Sequence, residues 1–152
     1  MNLSGCTALI TGGGTGIGLS LAQALMKEGS QVLICGRREE PLAQAQERFP
    51  GLEYKVCDLA DAADREALFE WVRVKHPGLD LLVNNAGIQR DINFKKGIEE
   101  LENGENEILI NLEATIYLTA QFMPLLLARD EAAVVNVTSG LAFVPLSVMP
   151  VY

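Results

Sequence analysis

Apolar residues are concentrated in five short runs, separated by segments in which they recur at helical spacing. The runs are rich in valine, leucine and isoleucine, which is typical of strands buried on both faces of a parallel sheet. They cover residues 6–10, 31–35, 52–56, 79–83 and 132–137. Strands that alternate with helices predict a single α/β domain with a doubly wound parallel sheet, in which ligands bind at the carboxyl ends of the strands.

Residues that start or stop helices lie between these runs. Gly29 closes the first predicted helix, Pro41 opens the second, and residues 50–51 end it. Asp61 is a candidate N-cap for the third helix. A long fourth helix is predicted over residues 105–128, with apolar residues on more than one face. Because one sheet contact requires only one apolar face, this helix predicts an additional packing partner.

A glycine-rich loop, TGGGTGIG at residues 11–18, follows the first strand directly. Glycine allows a sharp turn and a close approach of the backbone to an anion, and a helix N-terminus presents unpaired N–H groups to it. The motif therefore predicts a pyrophosphate site formed by Gly12, Gly14, Thr15, Gly16, Ile17 and Gly18. Its spacing differs from G-x-G-x-x-G, so a tight strand–helix turn without a ligand is the alternative for this motif alone.

Two arginines follow the second strand, about 20 residues beyond the glycine-rich loop. An acidic residue at this position would bind the ribose 2′-hydroxyl of NAD, whereas an arginine suits a 2′-phosphate. Arg37 and Arg38 therefore favour NADP over NAD as the cofactor. The alternative is that both arginines are solvated loop charges.

The ends of the third and fourth strands carry further candidate cofactor residues. Asp58 and Leu59 place a carboxylate where an adenine amino group could donate a hydrogen bond, although Asp58 could equally start a helix. Asn85, Ala86 and Gly87 belong to a small, amide-rich segment that would let the backbone pack against a ribose. A plain turn is the alternative interpretation of that segment.

Composition excludes several functional classes. The chain has 152 residues, of which 49% are hydrophobic, and a net charge of −8. This acidic balance and the absence of a basic run argue against nucleic acid or an anionic membrane as a partner. We expect no transmembrane segment, signal peptide or metal site, since the cysteine spacing matches no zinc pattern. The three cysteines suggest buried thiols in a reducing cytoplasm.

The complete pattern resembles the short-chain dehydrogenase/reductase family. The matching residues are Thr11 to Gly18, Asp58, Asn84 to Gly87, Asn111, Ser139 and Tyr152. The resemblance implies a Rossmann fold, NAD(P)-dependent oxidation or reduction of a small alcohol or carbonyl substrate, and a homodimer or homotetramer. Residues 84–90 and 139–145 also resemble the branch found in D-alanyl-lipoteichoic-acid operons.

The same resemblance makes Ser139, Tyr152 and Asn111 the catalytic positions. Tyr152 would act as the acid/base and Ser139 as the oxyanion donor, separated by 13 residues. On its own, Ser139 could be a strand-end cap. Asn111 lies among apolar residues, where an amide needs a structural or water-organising partner unless it faces solvent.

The family pattern also includes a lysine four residues after the tyrosine, and this chain stops at Tyr152. A phenol, with an ordinary pKa of about 10, needs nearby positive charge to act as a base at neutral pH. We therefore expect the chain to be a C-terminally incomplete piece of a longer enzyme, and to be inactive alone. The alternative is a natural truncation that serves as a non-catalytic dinucleotide-binding sensor or scaffold.

Overall fold

The computed structural model describes residues 2–152. Within that range, one parallel sheet has the strand order β3-β2-β1-β4-β5. The strands are β1 (Thr7–Thr11), β2 (Gln31–Gly36), β3 (Glu53–Val56), β4 (Leu81–Asn84) and β5 (Ala133–Asn136). The strand order switches direction between β1 and β4, which is the place where a doubly wound sheet binds ligands. The predicted fold class is confirmed.

Helices connect the strands and cover both faces of the sheet. The longer ones are α1 (Gly16–Lys27), α2 (Glu39–Arg48), α3 (Ala62–Lys75) and α5 (Ala114–Leu127), and α4 (Glu99–Glu102) is a single turn. A π-helical segment, Leu109–Glu113, leads directly into α5. Two 3-10 turns, Phe94–Lys96 and Gly140–Ala142, complete the helical elements of the described residues.

Alternation along the strands divides the core into two layers, because successive strand residues point to opposite faces. Leu9 and Leu33 lie in one layer, together with Leu68 of α3 and Phe122 of α5. The other layer, on the opposite face, has Ile10, Ala8, Val32 and Ile34, with Ala22 of α1 and Leu42 of α2. Both faces of the central strands are therefore removed from solvent, as their continuous apolar sequences predict.

Helix α5 and the π-helical segment before it bury one stripe of residues and expose another. The buried stripe has a spacing of four and consists of Ile110, Ala114, Leu118, Phe122 and Leu126. The exposed stripe consists of Ile108, Leu112, Ile116, Tyr117 and Leu127. The helix thus has apolar residues on more than one face, as predicted, and the second face is exposed to solvent.

Several predicted boundaries are wrong by one or two residues, and local hydrogen bonds explain the differences. The fourth strand begins at Leu81, because Asp80 binds Thr7 through its carboxylate as well as its main chain. Helix α2 begins at Glu39 and holds Pro41 in its first turn, where a missing N–H costs nothing. The long helix begins at residue 107, since Asn106 caps it by accepting the N–H of Leu109. Asp61 is confirmed as the N-cap of α3.

Candidate active site

Thr11 joins the glycine-rich loop to the end of β4. Its hydroxyl oxygen accepts the N–H groups of Asn85 and Ala86 at 3.0 and 2.9 Å. In return, the Asn85 side chain donates to the carbonyl oxygens of Thr11 and Gly12 at 2.9 and 3.3 Å. Thr11 is buried, so this network is shielded from water and fixes the loop against the neighbouring strand.

Two glycines allow the backbone to pack closely at this junction. Gly12 has a φ of +65°, and a Cβ there would lie 2.9 Å from the Cα of Ala86. A Cβ at Gly18 would lie only 2.4 Å from the carbonyl oxygen of Gly12. Helix α1 therefore rests directly on the loop, and no larger residue fits at Gly18 without backbone movement.

The N-terminus of α1 is suited to an anion. Thr15 is its N-cap residue, but no side chain caps the helix and its first turn contains no acidic residue. Gly16 has a φ of +55° and open space where a Cβ would stand. Because the N–H groups of the first turn lack a side-chain acceptor, and the helix dipole favours negative charge there, a phosphate group fits this end of the helix.

An open cleft extends from this helix N-terminus along the carboxyl ends of the strands. Residues singled out from the sequence that line it are Gly12, Gly14, Thr15, Arg37, Arg38, Asp58, Leu59, Asn85, Ala86 and Gly87. Those singled out that do not line it are Gly16, Ile17, Gly18, Asn111, Ser139 and Tyr152. Gly18 instead packs beneath the loop, and the side chain of Ile17 is exposed.

The cleft also contains residues that sequence analysis did not identify: Gly36, Pro41, Leu42, Cys57, Ile88 and Ile110. Gly36, Cys57 and Ile88 are next to predicted site residues in the sequence. Their positions just after or at the ends of strands could therefore have predicted that they line the cleft. Leu42 approaches within 3.2 Å of the place where a Cβ of Gly14 would stand. Ile110 comes from the π-helical segment, and no local pattern connects it to the cleft.

Arg37 and Arg38 directly follow β2, as the sequence predicts. Both line the cleft. Arg37 forms an ion pair through its Nη1 with the carboxylate of Glu105, a residue that precedes the long helix. Arg38 is the N-cap residue of α2, and no ion pair to it occurs among the described residues.

Asp58 and Leu59 also line the cleft, and hydrogen bonds to neighbouring residues hold them. The Asp58 carboxylate accepts the N–H of Ala60 at 2.9 Å. Asp58 does not start a helix, the alternative that the sequence left open, because Asp61 is the N-cap of α3. The N–H of Asp58 donates to Asp64 at 2.8 Å. Buried Arg65 donates to the carbonyl oxygen of Leu59 at 2.5 Å and thereby fixes the end of this loop.

Asn111 uses its whole amide to bind one residue of the β4 loop. Its Oδ1 accepts the N–H of Ile88 at 2.8 Å, and its Nδ2 donates to the carbonyl oxygen of Ile88 at 2.8 Å. Asn111 lies inside the π-helical segment, a distortion that is frequent at functional sites. The solvent-facing alternative is therefore wrong, and the side chain has a structural partner. One N–H of Nδ2 and one lone pair of Oδ1 are not used by these two bonds.

The segment after Ile88 is held to the start of the long helix. The main-chain N–H of Arg90 donates to Glu107 at 3.0 Å, one helical turn before Asn111. Glu107 is buried, and its other carboxylate oxygen has no hydrogen-bond partner among the described residues. Glu107 and Asn111 thus bind alternate residues of the extended chain that leaves β4 and set its path along the cleft.

Ser139 and Tyr152 lie beyond β5, outside the cleft lining. Ser139 caps the 3-10 turn, since its Oγ accepts the N–H of Leu141 at 3.2 Å. Tyr152 is partly exposed, and no hydrogen bond joins it to Ser139 within residues 2–152. The backbone between them is tied to the β4 loop by one bond, from the N–H of Ile92 to the carbonyl oxygen of Val148 at 3.0 Å.

Two cysteines lie beneath the cleft. Cys35 and Cys57 are both buried, and Cys57 contributes to the cleft lining. A hydrogen bond with Cys57 and burial raise the pKa of the Cys35 thiol well above its usual range. Among the described residues, no group of three His, Cys, Asp or Glu side chains could hold a metal ion, and no helix has the length and apolar content that a membrane span requires.

Comparison with known proteins gives consistent matches. A family model described as short chain dehydrogenase matches residues 6–152. The chain is 53% identical over 152 residues to the oxidoreductase DltE of Bacillus subtilis, covering 100% of this chain and 60% of DltE. It is 33% identical over 143 residues to D-beta-hydroxybutyrate dehydrogenase of Cupriavidus necator, covering 90% of this chain and 54% of that enzyme. The chain thus spans somewhat more than half the length of these relatives.

Solved structures with the same fold were determined with nucleotide bound. An NADPH-bound short chain oxidoreductase from Pseudomonas aeruginosa PAO1 superimposes with a TM-score of 0.83 and 34% identity, over 95% of this chain and 58% of that one. L-Sorbose reductase from Gluconobacter frateurii, in complex with NADPH and L-sorbose, gives a TM-score of 0.84 and 28% identity, over 99% of this chain and 59% of that one. These matches and DltE confirm the resemblance predicted from the sequence.

Proposed function

Because this chain belongs to the short-chain dehydrogenase family, we propose that it is the nucleotide-binding part of an NADP-dependent oxidoreductase acting on a small carbonyl or alcohol substrate. The observation that carries this proposal is the cleft itself. It begins at an uncapped helix N-terminus suited to a pyrophosphate and extends to Arg37 and Arg38 at the end of β2. Two of the similar solved structures were determined with NADPH.

Each part of NADP has candidate partners in this cleft. The N–H groups at the start of α1 would bind the pyrophosphate, and Arg37 and Arg38 the 2′-phosphate. Leu59 would contact the adenine, beside an Asp58 that already accepts one main-chain N–H. Residues 85–87 would pack against the nicotinamide ribose, because Thr11 holds their backbone in place. When bound, the cofactor supplies hydride chemistry at its nicotinamide ring.

Proton transfer is assigned to residues after β5. Tyr152 Oη would give a proton to the substrate oxygen in the direction of reduction and take one back in the direction of oxidation. Ser139 Oγ would donate a hydrogen bond to that oxygen as negative charge develops on it, which requires its hydroxyl proton to point away from the turn it caps. Asn111 would act by positioning Ile88 through its two amide bonds, and by its place in the π-helical segment.

We propose that the active enzyme contains more polypeptide than residues 1–152. The family pattern includes a lysine one helical turn after the tyrosine, and its charge would let the phenol act as a base near neutral pH. Residues 141–151 carry apolar side chains that are exposed here, including Phe143 and Val144. Further chain would cover them or frame a substrate pocket. On this account, residues 1–152 alone bind nucleotide but reduce no carbonyl.

The uncovered stripe on α5 supports assembly as a homodimer or homotetramer. Ile108, Leu112 and Ile116 are four residues apart and are each more than half exposed. A stripe of this kind is typical of helix–helix contacts between subunits. Three free, buried cysteines are consistent with a reducing compartment such as the cytoplasm.

The cofactor assignment is tested by titrating the complete protein with NADPH and NADH. A charge-assisted bond to the 2′-phosphate contributes about 1.5–3 kcal/mol, so NADPH should bind at least about tenfold more tightly than NADH. Arg37→Ala should remove most of this preference, whereas Arg48→Ala, on the far end of α2, should not. Equal affinities for NADPH and NADH in the unchanged protein would contradict the assignment.

Activity is tested by following NADPH oxidation with a panel of small ketones, aldehydes and quinones. The oxidoreductase assignment predicts turnover with at least one of them. Tight NADPH binding with no turnover on any member of the panel would instead support the dinucleotide-binding sensor or scaffold.

A further inference from the structure

Arg37 already has an anionic partner. Its guanidinium is paired with the carboxylate of Glu105, and each side chain is about half exposed. Glu105 belongs to a different part of the chain, between α4 and the long helix. The guanidinium group that would bind a 2′-phosphate is therefore occupied by a carboxylate in the nucleotide-free protein.

The position of Glu105 is fixed by its own backbone. Arg90 Nη1 donates to the carbonyl oxygen of Glu105 at 2.7 Å, and its Nη2 donates to the carbonyl oxygen of Glu100 at 2.8 Å and to that of Asn103. Gly104 has a φ of +100°, which lets the backbone turn around this guanidinium. Three carbonyl groups on one arginine hold the loop in shape.

Arg90 is in turn anchored to the start of the long helix. Its N–H donates to buried Glu107, which lies on the same helix as Asn111. The Glu105 backbone is thus held beside Arg37 by Arg90, which lies in the loop after β4. These bonds hold the backbone of Glu105, so its side chain starts from a fixed position within reach of Arg37.

We propose that Glu105 is a specificity-determining residue that competes with the cofactor's 2′-phosphate for Arg37. This inference rests on the proposed function, in which Arg37 binds that phosphate. A cofactor with a 2′-phosphate must displace the carboxylate or lie close to it, and both effects weaken its binding. A cofactor with a 2′-hydroxyl leaves the ion pair intact. Glu105 therefore reduces the preference for NADP that Arg37 creates.

The test uses two fragments that differ only at the 2′ position, adenosine 2′,5′-bisphosphate and 5′-AMP, titrated into the complete protein by calorimetry. Glu105→Gln keeps the size of the side chain and removes its charge. An exposed ion pair contributes little, so we expect the bisphosphate to bind about two- to fivefold more tightly to this variant. The affinity for 5′-AMP should not change.

Two further variants separate a specific effect from a general change in charge. Glu102→Gln lies on the same acidic segment, has no ion pair with Arg37, and should change neither affinity. In an Arg37→Ala background, Glu105→Gln should have a smaller effect on the bisphosphate, because the competition for Arg37 is lost and only the repulsion between carboxylate and phosphate remains. Thermal unfolding of each variant checks that the Arg90-bound loop is preserved.

The outcomes distinguish this inference from the proposed function. If the unchanged protein prefers the bisphosphate but Glu105→Gln leaves its affinity unchanged or weaker, the competition is contradicted and the NADP assignment stands. Equal tightening of 5′-AMP, or the same gain in Glu102→Gln, would likewise contradict it. If the unchanged protein binds both fragments equally and Arg37→Ala alters neither, the NADP assignment fails and this inference fails with it.

Discussion

Two regions of the chain differ sharply in how completely they are built. The nucleotide cradle, defined as residues 7–18 with 84–88, is buried at its centre: Leu9 and Ile10 are 0% exposed and Thr11 is 1% exposed. The proposed catalytic segment, defined as residues 137–152 and called the catalytic segment below, exposes large apolar side chains. Phe143 is 85% exposed and Tyr152 is 38% exposed.

The difference in burial follows from how many contacts each region makes within this chain. The cradle is formed by two adjacent strands, one loop and one helix, all within this chain, and Thr11 and Asn85 join them by reciprocal bonds. Few bonds join the catalytic segment to the rest of the chain: the N–H of Val137 donates to Asn84, the N–H of Ile92 donates to Val148, and the Gln89 amide donates to the sulfur of Met149. Ser139 only caps its own turn. On the proposed function, the residues that would bind nucleotide are therefore held by contacts within this chain, whereas the residues proposed for proton transfer have few such contacts.

The largest loss of stability is expected from adding a methyl group at Gly18, the closest backbone contact in the cradle. Gly18→Ala would place a Cβ 2.4 Å from a backbone oxygen that cannot move without opening the loop. The better helix propensity of alanine offsets part of this strain, leaving an expected loss of roughly 2 kcal/mol in unfolding free energy. Urea unfolding measures it, and NADPH affinity should fall as well.

The matched control for that experiment is Gly78→Ala. A Cβ at Gly78 would meet only the side chain of Arg129, at 3.8 Å, far from the cleft. It should leave unfolding and NADPH binding unchanged. Equal losses of unfolding free energy in Gly18→Ala and Gly78→Ala would contradict the account, because the close packing at Gly18 would then not explain the loss.

A smaller effect is expected where Asn111 of the long helix binds Ile88 of the cradle. Asn111→Ala would leave the N–H and the carbonyl of Ile88 without their partners, at a cost of about 1–2 kcal/mol for partly buried groups. Asn111→Asp keeps the acceptor for the Ile88 N–H and should recover part of the loss. The denaturant midpoints of the unchanged protein, Asn111→Asp and Asn111→Ala rank their stabilities. An alanine variant as stable as the unchanged protein would contradict the role of this bond.

The smallest effect concerns the surface loop beside the catalytic segment. A hydrogen bond from Lys96 holds the pKa of the Glu100 carboxyl below its usual range. A lowered pKa in the folded state stabilises the protein at pH values above the ordinary glutamate pKa, and this contribution disappears as the pH falls through the lowered value. Comparing the unchanged protein with Glu100→Gln should show a slight advantage at pH 7 that is absent at pH 3. Identical pH dependence would contradict it.

The sequence predicted the cradle better than the loops around it. The parallel strands, the glycine-rich loop and the cleft positions of Arg37 and Asp58 follow from local patterns, because the loop and both side chains come directly after buried strands. The ion pair with Glu105 and the carbonyl bonds of Arg90 were not predictable, since they join residues distant in the chain by side-chain geometry. The π-helical segment was also missed, because it has the same apolar composition as an ordinary helix.

We propose that nucleotide binding and proton transfer are carried by separate regions. The decisive experiment is Tyr152→Phe in the complete protein, with NADPH affinity and carbonyl turnover measured on the same sample. We predict that affinity stays within about twofold, whereas turnover falls by roughly 10²–10⁴ because a positioned proton-transfer group is lost. Turnover close to that of the unchanged protein, or a parallel loss of NADPH binding, would contradict the claim.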